Sequence, residues 1–178
     1  MQIIDERAML ERAQSTTAGF GELFDVYYDR IYAYAYRRVG ARETAEDIAA
    51  NVFEDALRGI KRLRWQGKPL AAWLYRIASR RVADFYRGAR CDAPMDETIP
   101  ARDGDPHDDA ARAEEFAAIR RGLARLDERD REIIRLVYFD EWRRDEIAAA
   151  LNCTPNSVYV RTHRALKKLE RILSDEIN

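Results

Sequence analysis

Residues 91–107 bar any continuous fold across this 178-residue chain. Pro94, Pro100, Gly104 and Pro106 break helical and strand ladders alike. Asp92, Asp96, Glu97, Asp103 and Asp105 leave too little apolar surface to offset the entropy of ordering the stretch. The chain is therefore expected to form two small domains, at 18–90 and 113–178. An acidic flexible linker at 91–112 joins them, and an N-terminal arm at 1–17 precedes them.

Both domains read as all-α. Strand-type alternation and Asn-Gly turns are missing, whereas apolar residues recur every three or four positions. Phe20, Leu23, Phe24, Tyr27, Ile31, Tyr34, Ala35 and Arg38 mark one face of a first helix. Gly40 suits its C-terminal cap, where glycine accepts a left-handed backbone. Thr44-Ala45-Glu46-Asp47 predicts a capping-box start for a second helix, striped by Ile48, Val52, Phe53, Ala56, Leu57, Ile60 and Leu63. Pro69 fits the first turn of a third, which carries Leu70, Trp73, Leu74, Ile77, Ala78, Val82 and Phe85. Beyond the linker, Phe116, Ile119, Leu123 and Leu126 mark a short helix, and Ile133, Ile134, Leu136 and Val137 another.

A net charge of −1 argues by itself against a nucleic-acid partner, but the charge is segregated. From Arg58 to Arg90 only Asp84 opposes a run of cations, and phosphate binding depends on such local potential. A plain solvated face would look the same. Arg76, Arg80, Arg87 and Arg90 share one arc of the third helix, and Arg64, Trp65 and Lys68 occupy the loop before it. Cations beside an exposed ring suit single-stranded nucleic acid, although Trp65 could equally plug the core. Arg81 falls on the apolar side, where it snorkels or meets a carboxylate, and Trp73 reads as core.

The last unit has the layout of a helix-turn-helix. Asp145–Leu151 forms one helix, and Asn152 occupies the turn, where asparagine tolerates positive φ. Thr154 can cap the next helix and Pro155 can open it. Val158, Thr162, Ala165, Leu166, Leu169, Ile172 and Leu173 then share the inner face. Asn156, Tyr159, Val160, His163, Arg164 and Lys167 lie opposite, as on a helix that reads base edges in the major groove. A solvated bundle helix is the plainer alternative.

Other function classes find little support. Cys91 and Cys153 are isolated, His107 and His163 are the only histidines, and no phosphate-cradling glycine loop occurs. No catalytic residue, metal or cofactor is expected, and the chain reads as a binding protein, not an enzyme. No apolar run nears the roughly 20 residues that span a bilayer, and Met1–Arg7 lacks a signal-peptide layout. A cytoplasmic protein without membrane insertion is expected.

Two motif sets carry a family resemblance. Ala45-Glu46-Asp47-Ile48-Ala49-Ala50-Asn51-Val52-Phe53 and Ala72-Trp73-Leu74-Tyr75-Arg76-Ile77-Ala78, with Asp84 and Arg87, resemble domain 2 of the sigma-70 family. Leu126-Asp127-Glu128-Arg129-Asp130-Arg131-Glu132, Glu146-Ile147-Ala148 and Val158–Ala165 resemble its domain 4. With no domain between them, the chain is similar to the extracytoplasmic-function (ECF) sigma factors, promoter-recognition subunits of RNA polymerase. The resemblance implies that Asp47, Ile48, Asn51, Val52 and Phe53 dock on the polymerase β′ clamp. It assigns Arg64, Trp65, Lys68, Arg76, Arg80 and Arg87 to melting and holding the −10 element. It assigns Asn156, Tyr159, Val160, His163, Arg164 and Lys167 to the −35 element, with Arg161 on phosphate. It also implies the β flap as a second polymerase contact and leaves room for an anti-sigma factor.

Three departures stand out. Ala50 and Asn51 replace the family's usual glutamine and carboxylate, Arg80 replaces an asparagine, and Tyr159 and Val160 replace small polar or cationic residues. Arg80 offers donors only, so phosphate, a guanine edge and an ion pair with Asp84 are its three possible partners. The rival class is a two-domain regulator with a helix-turn-helix output. It leaves the arginine face and the Trp65 loop unexplained.

Overall fold

The computed structural model describes residues 5–89, 109–140 and 142–177, and every regular element among them is helical. Two compact units result. The first holds α1 (Glu6–Ser15), α2 (Thr17–Val39), α3 (Arg42–Ile60) and α4 (Leu70–Ala89). The second draws on α5 (Asp109–Arg125), α6 (Glu128–Ile134), a π-helical turn (Arg135–Phe139), most of α7 (Arg144–Ala150) and α8 (Pro155–Ile177). The expected linker falls largely outside the described residues, as do Arg90, Cys91 and His107. Its last four positions, 109–112, form the first turn of α5.

In the first unit, α2 buries the expected face, with Phe24 alone only half-buried. Arg38 belongs to that core. Its guanidinium lies 3.4 Å from the Tyr34 ring centroid, and Nη1 donates to the Tyr34 carbonyl at 2.9 Å. Cation–π and hydrogen bonding together offset the cost of burying the charge. Gly40 ends the helix at φ 71°, as expected.

Two expectations need correction, and one segment gains structure. The capping box at Thr44–Asp47 does not start α3, which begins two residues earlier at Arg42, with Ala41 at the cap position and no capping side chain. The left-handed Gly40 already turns the chain there, and an Arg42–Glu46 ion pair of 2.8 Å supports the first turns. Leu57 is 51% exposed and not part of the core stripe. The N-terminal arm contains α1, which is capped by Asp5 and buries Met9, Leu10 and Ala13. Thr16 ends α1 and caps α2, its Oγ1 accepting from the Gly19 N–H at 2.9 Å.

The second unit buries Leu123, Leu126, Ile133, Ile134, Leu136, Trp142, Ile147, Val158 and Ala165. Phe116, expected on the inner face of α5, is instead 59% exposed. Asp127 caps α6 by accepting from the Asp130 N–H at 2.9 Å, and Lys168 reaches it from α8 at 3.1 Å. The backbone bond, then the lysine, lowers its carboxyl from 3.8 to about 2. The folded pKa lies below the unfolded one, so the stabilisation is complete above about pH 4 and fades as the pH falls toward 2. Asp127→Asn keeps a capping oxygen but does not titrate. Its melting temperature is expected to fall less steeply than wild type between pH 4 and pH 2, and parallel curves would contradict this.

Candidate nucleic-acid interfaces

The turn between α7 and α8 closes in three steps. Asn152 adopts φ 50°, the only positive φ outside glycine among the described residues. The Cys153 N–H then donates back to the Ala148 carbonyl at 2.9 Å, which ties off the end of α7. Thr154 Oγ1 accepts from the Ser157 N–H at 3.1 Å, so α8 starts where the sequence placed it. That start sets the helical register. Val158, Thr162, Ala165 and Leu169 turn inward, and Thr162 satisfies its buried hydroxyl on the Val158 carbonyl at 2.9 Å.

Asn156, Tyr159, Arg161, His163, Arg164 and Lys167 are consequently exposed, and Val160 is half-buried among them. Tyr159 and His163 stack with their ring planes 7° apart and centroids 6.5 Å apart. Arg144, at the start of α7, adds its guanidinium 5.6 Å from the Tyr159 ring centroid. Sequence reasoning missed Arg144, because no local pattern links it to a ring fifteen positions on. Lys168 is held by Asp127 and Asp130, which raise its pKa and take it out of the cationic surface.

The second surface lies on the first unit. Arg76, Arg80 and Arg87 are exposed along α4, and Arg64 and Lys68 are exposed in the loop before it. Trp65 is 37% exposed between them in sequence, so part of its ring is open to a ligand. Gly67 turns the loop at φ 68°, a conformation that side chains with a Cβ rarely adopt. Asp84 pairs with Arg87 and not with Arg80, which removes the ion-pair reading of Arg80. Arg81 takes its carboxylate inside the unit, with Nε and Nη2 at 2.7 and 2.6 Å from Asp55 Oδ2.

The third expected surface is divided. Asp47 and Asn51 are exposed on α3, but Ile48, Val52 and Phe53 are buried. Phe53 packs on Phe24 and Tyr28 at centroid distances of 4.8 and 6.0 Å. Asn51 donates its amide to the Asp47 carbonyl at 2.8 Å. The exposed side of α3 carries Asp47, Ala50, Asn51, Glu54, Leu57 and Arg58 over a buried apolar stripe.

Known proteins share both units. The description "Sigma-70 region 2" matches residues 23–91, and "Sigma-70, region 4" matches residues 116–169. The ECF RNA polymerase sigma factor SigD of Mycobacterium tuberculosis is 33% identical over 157 residues, covering 84% of this chain and 74% of its own. The ECF RNA polymerase sigma factor BldN of Streptomyces coelicolor is 32% identical over 173 residues, and this chain spans 66% of its length. The fold is shared with CnrH, solved in complex with the cytosolic domain of CnrY. The TM-score is 0.67 at 24% identity, over 95% of this chain and 97% of that one.

Proposed function

Because the chain belongs to the ECF RNA polymerase sigma factors of the sigma-70 family, we propose that its three surfaces divide promoter recognition among them. The exposed face of α8 reads the −35 element as duplex. The Trp65 loop and the α4 arginines hold the −10 element as a single strand. Asp47 and Asn51 meet the β′ clamp, with Ile48, Val52 and Phe53 acting as the packed support beneath them. The second unit meets the β flap, and an anti-sigma factor would compete for these same faces.

One observation carries this reading. Arg64 and Lys68 flank an exposed indole in the loop, and neither they nor the exposed Arg76 and Arg80 of α4 have an acidic partner among the described residues. Uncompensated cations beside a stackable ring fit phosphates and unpaired bases better than they fit duplex alone. Arg80, with Asp84 occupied, is left with phosphate or a guanine edge.

The −35 assignment is tested in the assembled holoenzyme. Arg164→Ala is expected to cost about 1–3 kcal/mol of discrimination at one −35 base pair. Lys167→Ala is expected to weaken every promoter alike, as loss of a phosphate contact does. Binding to a set of −35 point mutants checks both. An unchanged ranking of those mutants with Arg164→Ala would remove α8 from base reading.

A further inference from the structure

The loop that carries Trp65 is held at both ends by the same short helix. At its start, the Gln14 side-chain amide donates to the Ile60 carbonyl at 2.8 Å and to the Leu63 carbonyl at 2.7 Å. Those carbonyls lie at and just past the end of α3, where the helix itself supplies no donors. At the other end, Glu6 Oε2 accepts from the Leu70 N–H at 2.9 Å and so caps the first turn of α4. The other oxygen of Glu6 accepts from the Tyr27 hydroxyl at 2.9 Å, which ties the carboxylate to α2. All three bonds from α1 to the loop ends span more than forty residues of sequence.

Helix α1 is itself rigidly seated. Asp5 caps it, Met9 and Leu10 are buried, and Arg12 pairs with Glu22 at 2.8 Å. Ile60 and Leu70, the last and first residues of the flanking helices, are also buried. The two ends of the loop are thus anchored, and the stretch between them exposes Arg64, Trp65 and Lys68. A loop held in one arrangement loses less entropy when it takes up a ligand.

We propose that α1 is a brace for strand capture, with Gln14 and Glu6 as positioning residues that preset the Trp65 loop. The inference rests on the reading of that loop as the −10 contact. Neither residue touches DNA in this account. The brace acts on how readily the indole is presented, not on what it recognises.

The test uses holoenzyme and an oligonucleotide carrying the non-template −10 strand of a promoter mapped with the wild-type protein. Gln14→Met keeps the length of the side chain and removes both donors. It is expected to bind the strand about three- to tenfold more weakly, with core association and −35 duplex binding unchanged. Combined with Trp65→Ala, it is expected to add no further loss, since it acts through the indole. Wild-type strand binding by Gln14→Met, or losses that multiply in the double variant, would overturn the brace. Wild-type strand binding by Trp65→Ala would instead overturn the loop reading beneath it. If Gln14→Met melts below the assay temperature, Glu6→Gln reads the same coupling from the other end, because a neutral amide offers one acceptor where the carboxylate offered two.

Discussion

Trp65→Ala holoenzyme is expected to find its promoters normally and to open them poorly. Stacking of one base on an aromatic side chain contributes about 1–3 kcal/mol, so the loss in open complex should fall between about 5-fold and 150-fold. The assignment is falsifiable because a tryptophan can fail in two distinct ways. A core tryptophan cut to alanine costs about 3–5 kcal/mol of folding stability. Trp65 is 37% exposed in a loop between exposed cations, so its loss should cost less stability than that of a fully buried tryptophan. Fluorescence of a base analogue at the −10 element reports opening, and thermal melting of the free protein reports packing. A wild-type rate of opening with a large drop in melting temperature would return Trp65 to the core.

Gly19→Ala is expected to unseat α1. A Cβ at position 19 would lie 2.3 Å from the Arg12 carbonyl oxygen, 2.4 Å from its carbon and 2.9 Å from the Ala13 nitrogen. All three are backbone atoms, so no side chain can swing aside, and one helix must move off the other. Overpacking typically costs 1–3 kcal/mol, and a backbone clash belongs at about 3 kcal/mol. Gly21→Ala is the control. It lies on the same helix with nothing within 4 Å of its added methyl, so it is expected to be neutral or stabilising by up to about 1 kcal/mol from helix propensity. Equal melting temperatures for the two variants would show that α1 does not sit against α2 as described. Gly19→Ala should also weaken capture of the −10 strand, since Gln14 and Glu6 travel with α1.

What was legible in the sequence follows from the range of the interaction that decides each feature. The buried face of α2 was readable at every position but Phe24, Arg38 included, because 3.6-residue periodicity is a local property. The exposed face of α8 was readable for the same reason, once Thr154 and Pro155 set where the helix starts. Helix α1 was not. Its three buried positions, Met9, Leu10 and Ala13, sit among charges, and only the surface of α2 makes them a core. Periodicity located α3, and family resemblance assigned it a docking role without saying which side a partner could reach. Ile48, Val52 and Phe53 were readable both as stripe and as docking residues, and the fold buries all three in the stripe. The Arg144–Tyr159 stack and the two bonds of Gln14 join positions that no spacing rule connects.

The most direct test of the account adds the purified protein to core RNA polymerase and maps transcript starts on genomic fragments. The account predicts discrete starts that core alone does not make, each preceded by a shared pair of −35 and −10 elements. It also predicts that the free protein lacks tight sequence-specific binding to the same duplexes. Tight specific duplex binding by the free protein, with no association with core in gel filtration, would contradict it.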